Sequence, residues 1–378
     1  MAQVVHVISG LEVGGAEIAL LRLIVSARGG QFSHRVIALT TGGGMGERFR
    51  DAGVEVIGLD FRRSPVKSFA RLVKYFRTTR PDFVQTWMYH ADFIGGLAAR
   101  LAGIRNIIWG IHSTYVQSGG SRMTTYLMHV CARVSRRIPK AIVCVAKVSR
   151  NVHVAAGYDA NRMLVIPNGV DLDKLIVPAG GRELIRRQNG LTAGQIVIGT
   201  LGRFNPAKDY ENFVSAAGII ARQYPSVRFL MVGRGLSRDN TTLVELIART
   251  GFEERFVLLG ERDDAPTCLA AMDIFGLSSR SEALPTVIAE AMALRLPCVA
   301  TDVGDTAILL GEAGVVVPKE DPAALAAGMA HLIELPAESR RQLGKTGRQR
   351  IEEKYTMVAV REQFELLYKR MIEKASNS

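Results

Sequence analysis

Ser281-Glu282-Ala283-Leu284-Pro285-Thr286-Val287-Ile288-Ala289-Glu290-Ala291-Met292 starts as a loop and continues as a helix, and the fold reads outward from it. Just before it, the apolar run 274–277 closes on Ser278-Ser279; soon after it comes a second run, 298–301. Strand, helix and strand in that order make a βαβ unit with both strands parallel in one sheet. Pro285 suits the first helical turn, where its missing N–H costs nothing. The helix N-terminus offers free N–H groups and a positive dipole end, a ready place for a diphosphate. Glu282, just outside that end, is placed to accept hydrogen bonds from sugar hydroxyls, and Glu290 to accept them from a ribose. Spacing alone favours an ordinary surface helix with two acids. The apolar neighbours of Glu290 favour a mostly buried helix, in which an acid needs a partner.

The same alternation runs through both halves of the chain. In the first, strands are expected at 4–8, 36–39, 54–59, 83–85, 107–108 and 142–145, with helices at 16–25, 68–77 and 91–101 between them. In the second, strands are expected at 196–199, 229–232, 256–259, 274–277, 298–301 and 315–317. The second set closes on Gly, Ser or Arg at its carboxyl ends, where open α/β sheets place their ligands. Two such arrays imply two doubly wound domains facing a cleft. The join falls at Ile166-Pro167-Asn168-Gly169-Val170-Asp171, a tight-turn sequence. The expected domains are 1–170, completed by an amphipathic C-terminal helix in 358–378, and 171–357.

At 378 residues, with 48% hydrophobic and 22% charged residues, the chain can bury two large cores. Cys131, Cys144, Cys268 and Cys298 are scattered without a CxxC pair, so buried reduced thiols are expected. The first ten residues show neither a basic n-region nor an apolar h-region, and no apolar stretch is long enough to span a bilayer. A cytoplasmic protein is the expectation. Residues 1–190 carry 26 Lys+Arg against 12 Asp+Glu, whereas residues 191–378 carry 22 against 24. The whole basic excess therefore lies in the first half, which suits contact with something anionic.

The segment SEALPTVIAEAMALRLPCVATDVG resembles the Glu-x7-Glu region of retaining GT-B glycosyltransferases of family four, especially those that build bacterial surface polysaccharides. The resemblance extends over nearly the whole chain. Gly14-Gly15 matches the family's N-terminal glycine loop. Gly202-Arg203-Phe204-Asn205-Pro206-Ala207-Lys208 matches the arginine and lysine that hold the donor diphosphate. His112, after the strand at 107–108, corresponds to the histidine that touches the transferred sugar. Asn168 lies in the interdomain segment near the donor, and Gly233 and Arg262 lie in loops near the nucleotide base. The resemblance implies Glu282, Leu284, Pro285, Thr286 and Glu290 as further donor contacts. It assigns the catalytic roles to His112, Arg203, Lys208 and Glu282. It also implies no cofactor and no metal, and front-face attack assisted by the leaving phosphate. Ala283-Leu284-Pro285 departs from the Gly-Phe-Gly of many members, which affects the sugar pocket.

The expected partners are a nucleotide diphosphate-sugar, UDP before GDP, and a lipid-linked or saccharide acceptor at the inner membrane face. Around 61–77, Phe69, Leu72, Val73 and Phe76 share one helical face, flanked by Lys67, Arg71 and Lys74 and preceded by Arg62 and Arg63. Such a helix would lie on an anionic membrane or pack on the sheet with a solvated basic back. Rival readings are a nucleotide-sugar 2-epimerase, which has the same architecture but no need of a basic acceptor domain, and a nucleic-acid-binding protein, for which recognition motifs are missing. Three decoys carry no chemistry. Asp171-Leu172-Asp173 spells a metal motif but reads as turn acids at a join. Gly344-Lys345-Thr346 lacks the first P-loop glycine, and Gly42-Gly43-Gly44 lacks a following Gly-Lys.

Overall fold

The computed structural model describes residues 1–12, 14–113 and 122–376. The chain divides into two compact units, Met1–Gly169 with Met357–Ser378, and Val170–Thr356. In the first unit seven parallel strands are laid down in chain order: β1 (Ala2–Ile8), β2 (Phe32–Ala38), β3 (Val56–Gly58), β4 (Phe83–Trp87), β5 (Ile107–Ile111), β6 (Ala141–Cys144) and β7 (Met163–Val165). Their order across the sheet is β3-β2-β1-β4-β5-β6-β7. The second unit repeats the plan with β8 (Val197–Leu201), β9 (Arg228–Val232), β10 (Phe256–Gly260), β11 (Ile274–Leu277), β12 (Cys298–Thr301) and β13 (Gly314–Val317). Its order is β10-β9-β8-β11-β12-β13. Each sheet grows first one way and then the other from its founding strand, so its order reverses beside β1 or β8. That reversal opens a crevice at the strands' carboxyl ends.

The period of two along a strand feeds both faces of each sheet. On β1, Val5 and Val7 join one core with Leu72, Phe76, Trp109 and Cys131. Val4 and Ile8 join the other, with Leu20, Phe32 and Trp87. That second face is closed by the C-terminal helix Met357–Ser376, which inserts Met357, Val360, Phe364, Tyr368 and Met371. Tyr368 donates to Gln85 Oε1 at 2.5 Å, and Arg361 Nη1 donates to the Ser26 carbonyl at 2.9 Å. All four cysteines are buried free thiols.

One pair of alternatives is decided, and one expectation needs correction. The helix Pro65–Thr79 turns Leu72 and Phe76 into the core, with Phe69 and Val73 packed against it, so its apolar face is not available to a membrane. Pro285 stands at the N-cap position, one residue before the helix Thr286–Ala293, not within its first turn. The sequence pattern also gives no sign of β7, whose three residues are too few to show a period. Asp171 precedes a single 3-10 turn, Leu172–Lys174, and pairs with Lys174 at 3.7 Å. Gly344 lies inside the helix Ala337–Lys354, against the Arg295 carbonyl. Among the described residues, no helix is long and apolar enough to cross a membrane.

Candidate active site

The second unit gathers its charged groups where β8 and β11 lie side by side. After β8, Asn205 caps the turn Pro206–Lys208 by accepting a hydrogen bond from the Ala207 N–H at 2.8 Å. That turn carries Lys208 to the loop after β11, where its Nζ donates to Glu282 Oε1 at 2.6 Å. Ser279 Oγ donates to the same oxygen at 2.8 Å, and Ser278 Oγ to the Lys208 carbonyl at 2.9 Å. Beside them, Arg280 forks onto Asp209, the N-cap of the helix Tyr210–Gln223, at 2.7 and 2.9 Å. The two loops are thus tied together across the point at which the sheet order reverses.

On the helix Thr286–Ala293, all residues from Val287 to Ala293 except Glu290 are buried. Thr286 and Glu290, one turn apart, form its accessible face. Leu284 and Pro285 are buried beneath the loop. The Gly304 carbon packs against the carbonyls of Glu282 and Ala283, where φ is +59° and a Cβ would overlap both.

Around β8, β9 and β10 the loops use up their own backbone groups. Gly202 N–H donates to Val232, Phe204 N–H to Arg234, Gly233 N–H to Gly260 and Gly260 N–H to Leu236. Gly233, at φ +137°, lies so close to Gly202 that a Cβ would overlap its carbonyl oxygen. Its amide is therefore committed to the fold, and its glycine identity is explained by this close approach. Arg262 is likewise committed, forking onto Asp264 at 2.8 and 2.7 Å. This pair holds the Asp264 carboxyl below its usual range. Arg203 differs: it is exposed and makes no ion pair among the described residues. With Arg234 it lines an open pocket of about 370 Å³ that also includes Phe204, Asn205 and Asn240.

The first unit carries the other predicted residues at the same end of its own sheet. His112 follows β5 and stacks on Trp87 at the end of β4, with ring centroids 4.7 Å apart and an interplanar angle of 21°. Its Nδ1 is buried without a hydrogen-bond partner among the described residues, and burial lowers its pKa to about 4. The imidazole is therefore neutral near pH 7. Trp87 is fixed in turn by donating Nε1–H to His6 Nδ1 at 3.2 Å, and His6 Nε2 meets His34 Nδ1 at 2.9 Å. Asn168, His112 and Trp87 line one small cavity of about 10 Å³, roughly the space of a single water. Gly14 caps the helix Gly15–Ser26, and a Cβ on Gly14 would overlap the Glu17 carboxylate, which folds back over that helix end. Burial raises the Glu17 pKa. Gly15 faces open space.

Arg62, Arg63, Lys67, Arg71 and Lys74 are all exposed. Trp87 and Ser279 carry no sequence signal of their own. Only their positions at strand ends, beside His112 and Glu282, single them out.

Two family models match in series, Glycosyltransferase Family 4 over residues 13–174 and Glycosyl transferases group 1 over residues 181–350. The chain is 28% identical to the UDP-Gal:alpha-D-GlcNAc-diphosphoundecaprenol alpha-1,3-galactosyltransferase of Escherichia coli, over 63% of this chain and 62% of that one. It is 24% identical to the capsular polysaccharide biosynthesis glycosyltransferase CapM of Staphylococcus aureus, over 81% of each chain. Among solved structures, HepE of Anabaena in complex with UDP superposes with a TM-score of 0.86 at 21% identity, over 97% of this chain and 100% of that one. A fold of two Rossmann-like units with this strand order is GT-B. The chain belongs to the glycosyltransferases of family four.

Proposed function

We propose that this protein transfers a sugar from a UDP-sugar to a lipid-linked saccharide during polysaccharide biosynthesis, with retention of anomeric configuration. The observation that carries the reading is the Lys208–Glu282 pair at the β8/β11 reversal, with Arg203 on the same loop making no ion pair among the described residues. A diphosphate needs cations within reach: Arg203 makes no ion pair among the described residues, and Lys208 would exchange its Glu282 partner for phosphate, while a sugar needs acceptors for its hydroxyls. Arg203 supplies a planar fork, Lys208 a mobile point charge, and the helix Thr286–Ala293 its free N–H end. Together they would take up the charge that develops on the leaving diphosphate. Glu282 would accept from the sugar, and Glu290, with Thr286, from the ribose. The cations of the site supply that charge stabilisation without a metal. In the first unit, neutral His112 would offer a hydrogen bond to the transferred sugar, with Gly14, Gly15 and Asn168 nearby.

Relatives support the substrate classes, since one is a UDP-galactose enzyme acting on a diphosphoundecaprenol-linked sugar and another serves capsular polysaccharide. The exposed basic face of Arg62, Arg63, Lys67, Arg71 and Lys74 would hold the protein against an anionic membrane, where such an acceptor resides.

A thermal-shift panel with UDP, GDP, ADP, CMP and dTDP tests the donor reading. At about 100 times its Kd, a nucleotide stabilises the native state by about 2.7 kcal/mol. UDP should raise the midpoint of the wild type and lose that effect in Arg203→Ala. A panel in which no nucleotide acts, or in which Arg203→Ala responds as the wild type does, overturns the site. Product NMR after transfer from UDP-galactose to GlcNAc-diphosphoundecaprenol then reads the anomeric outcome.

A further inference from the structure

His112 and Ser113 are consecutive residues in the segment that follows β5, and they have different partners. Ser113 meets Tyr89, the first residue of the helix Tyr89–Leu101, with Oγ 2.9 Å from the phenol oxygen. The same phenol oxygen lies 2.7 Å from Nε2 of buried His153, whose Nδ1 lies 2.6 Å from the Ser149 carbonyl. The Tyr89 ring also stacks on the His153 ring, with centroids 5.7 Å apart. Met88, which aims Tyr89 inward, sits at φ +75° and ψ 158°, a conformation rare outside glycine that surrounding structure must impose.

The direction of every proton in this chain is fixed from its buried end. A carbonyl oxygen only accepts, so His153 Nδ1 carries the proton. Burial lowers the His153 pKa, so the ring is neutral and its Nε2 is a bare acceptor. Burial raises the Tyr89 pKa to about 12, so the phenol keeps its proton and donates it to His153. The phenol oxygen then accepts from Ser113, whose single O–H is spent. Among the described residues Ser113 has no other hydrogen-bond partner.

We propose that Ser113 is a specificity-determining residue whose hydroxyl is locked as a hydrogen-bond acceptor, and that it orients the sugar acceptor by receiving one of its hydroxyl protons in a hydrogen bond. Tyr89 and His153 are positioning residues that act through it. This rests on the reading of the protein as a glycosyltransferase with a saccharide acceptor, and it adds that the acceptor lies against the first unit. A serine free to rotate would greet donors and acceptors alike. This one rejects a carbonyl or ether oxygen at the same place and selects a hydroxyl.

Two measurements test it on the full-length protein. Long-range nitrogen–proton NMR of the histidine rings should find the proton of His153 on Nδ1, and finding it on Nε2 overturns the relay without any substrate. Kinetics with UDP-galactose and GlcNAc-diphosphoundecaprenol should show the acceptor KM raised about tenfold in Ser113→Ala, restored in Ser113→Thr, with the UDP-galactose KM unchanged. Tyr89→Phe should raise the acceptor KM as well, and the double variant should be no worse than Ser113→Ala alone. An unchanged acceptor KM, or additive losses, overturns the inference while the glycosyltransferase reading stands. A wild type that binds no nucleotide and transfers to no lipid-linked sugar fails the broader reading instead.

Discussion

At the scale of single residues, the site in the second unit depends on one carboxylate oxygen with two donors. Glu282 Oε1 receives both Lys208 and Ser279, and the side chains of Lys208 and Glu282 are only 25% and 15% exposed. Lys208→Met keeps much of the stem and removes the charge, while Ser279 still donates to Glu282. If Lys208 neutralises the leaving diphosphate, kcat should fall by about 10²-fold or more, the scale of removing one donor aimed at developing charge. Ser279→Ala removes only a neutral donor to a carboxylate and should cost about tenfold. Steady-state rates decide: a Lys208→Met variant that retains wild-type kcat removes the lysine from the chemistry. The acids and cations of this cluster stand out in the sequence because they follow strand ends and match the family's motifs, which spacing alone would not have established. Ser279 does not, because its role depends on a contact three residues along a loop, a geometry that spacing does not encode.

At the scale of elements, loops and helix faces answer to close packing. Gly233 has φ +137° and no space for a Cβ against Gly202, so Gly233→Ala combines a disfavoured backbone with an overlap. It should destabilise the protein by about 2–4 kcal/mol. Gly15, facing open space, should tolerate alanine with little change in melting temperature. Equal losses at both positions would show that the cramped loop relaxes freely.

The helix Pro65–Thr79 shows why part of the molecule was not legible in the sequence. Its pattern of Phe69, Leu72, Val73 and Phe76 is the same for a helix on a sheet as for a helix on a membrane, and periodicity gives the face but not what covers it. The sheet covers it. By contrast, most of the parallel strands announced themselves by short apolar runs alternating with helical patterns. Since the exposed part of the helix is mostly basic, with Val66 an exposed apolar residue in its first turn, membrane contact there would be mainly electrostatic. Sedimentation with phosphatidylglycerol vesicles should show binding that falls steeply with salt and is lost in Lys67→Glu/Arg71→Glu/Lys74→Glu, at about 1 kcal/mol per cation. Binding indifferent to salt would point to an apolar surface elsewhere.

At the scale of the whole molecule, the two units should respond to acid differently. His6, His34, His90, His112 and His153 all have pKa values lowered by burial, to about 4 for His34 and His112, and all five lie in the first unit. A depressed histidine pKa means that, between about pH 6.5 and 4, the unfolded chain binds protons that the native one does not. Stability from these groups is therefore complete above about pH 6.5 and is lost as the pH falls toward 4, by up to roughly 3 kcal/mol each for His34 and His112. Asp92 and Glu17 act in the opposite sense. Burial raises both carboxyl pKa values, so in this window acid favours the native state through them. Two such carboxyls oppose five histidines, and the balance favours acid destabilisation of the first unit. Hydrogen exchange followed by mass spectrometry at pH 7.5 and pH 5, corrected for intrinsic rates, should show protection lost chiefly in peptides from 1–169 and 357–376. If the second unit binds UDP as proposed, the nucleotide should add protection within 170–356 at both pH values. His34→Gln, which has no proton to gain in this range, should retain more of its pH 7.5 protection at pH 5 than the wild type does. Acid loss spread evenly over both units would mean that the buried histidines are not what sets the acid limit.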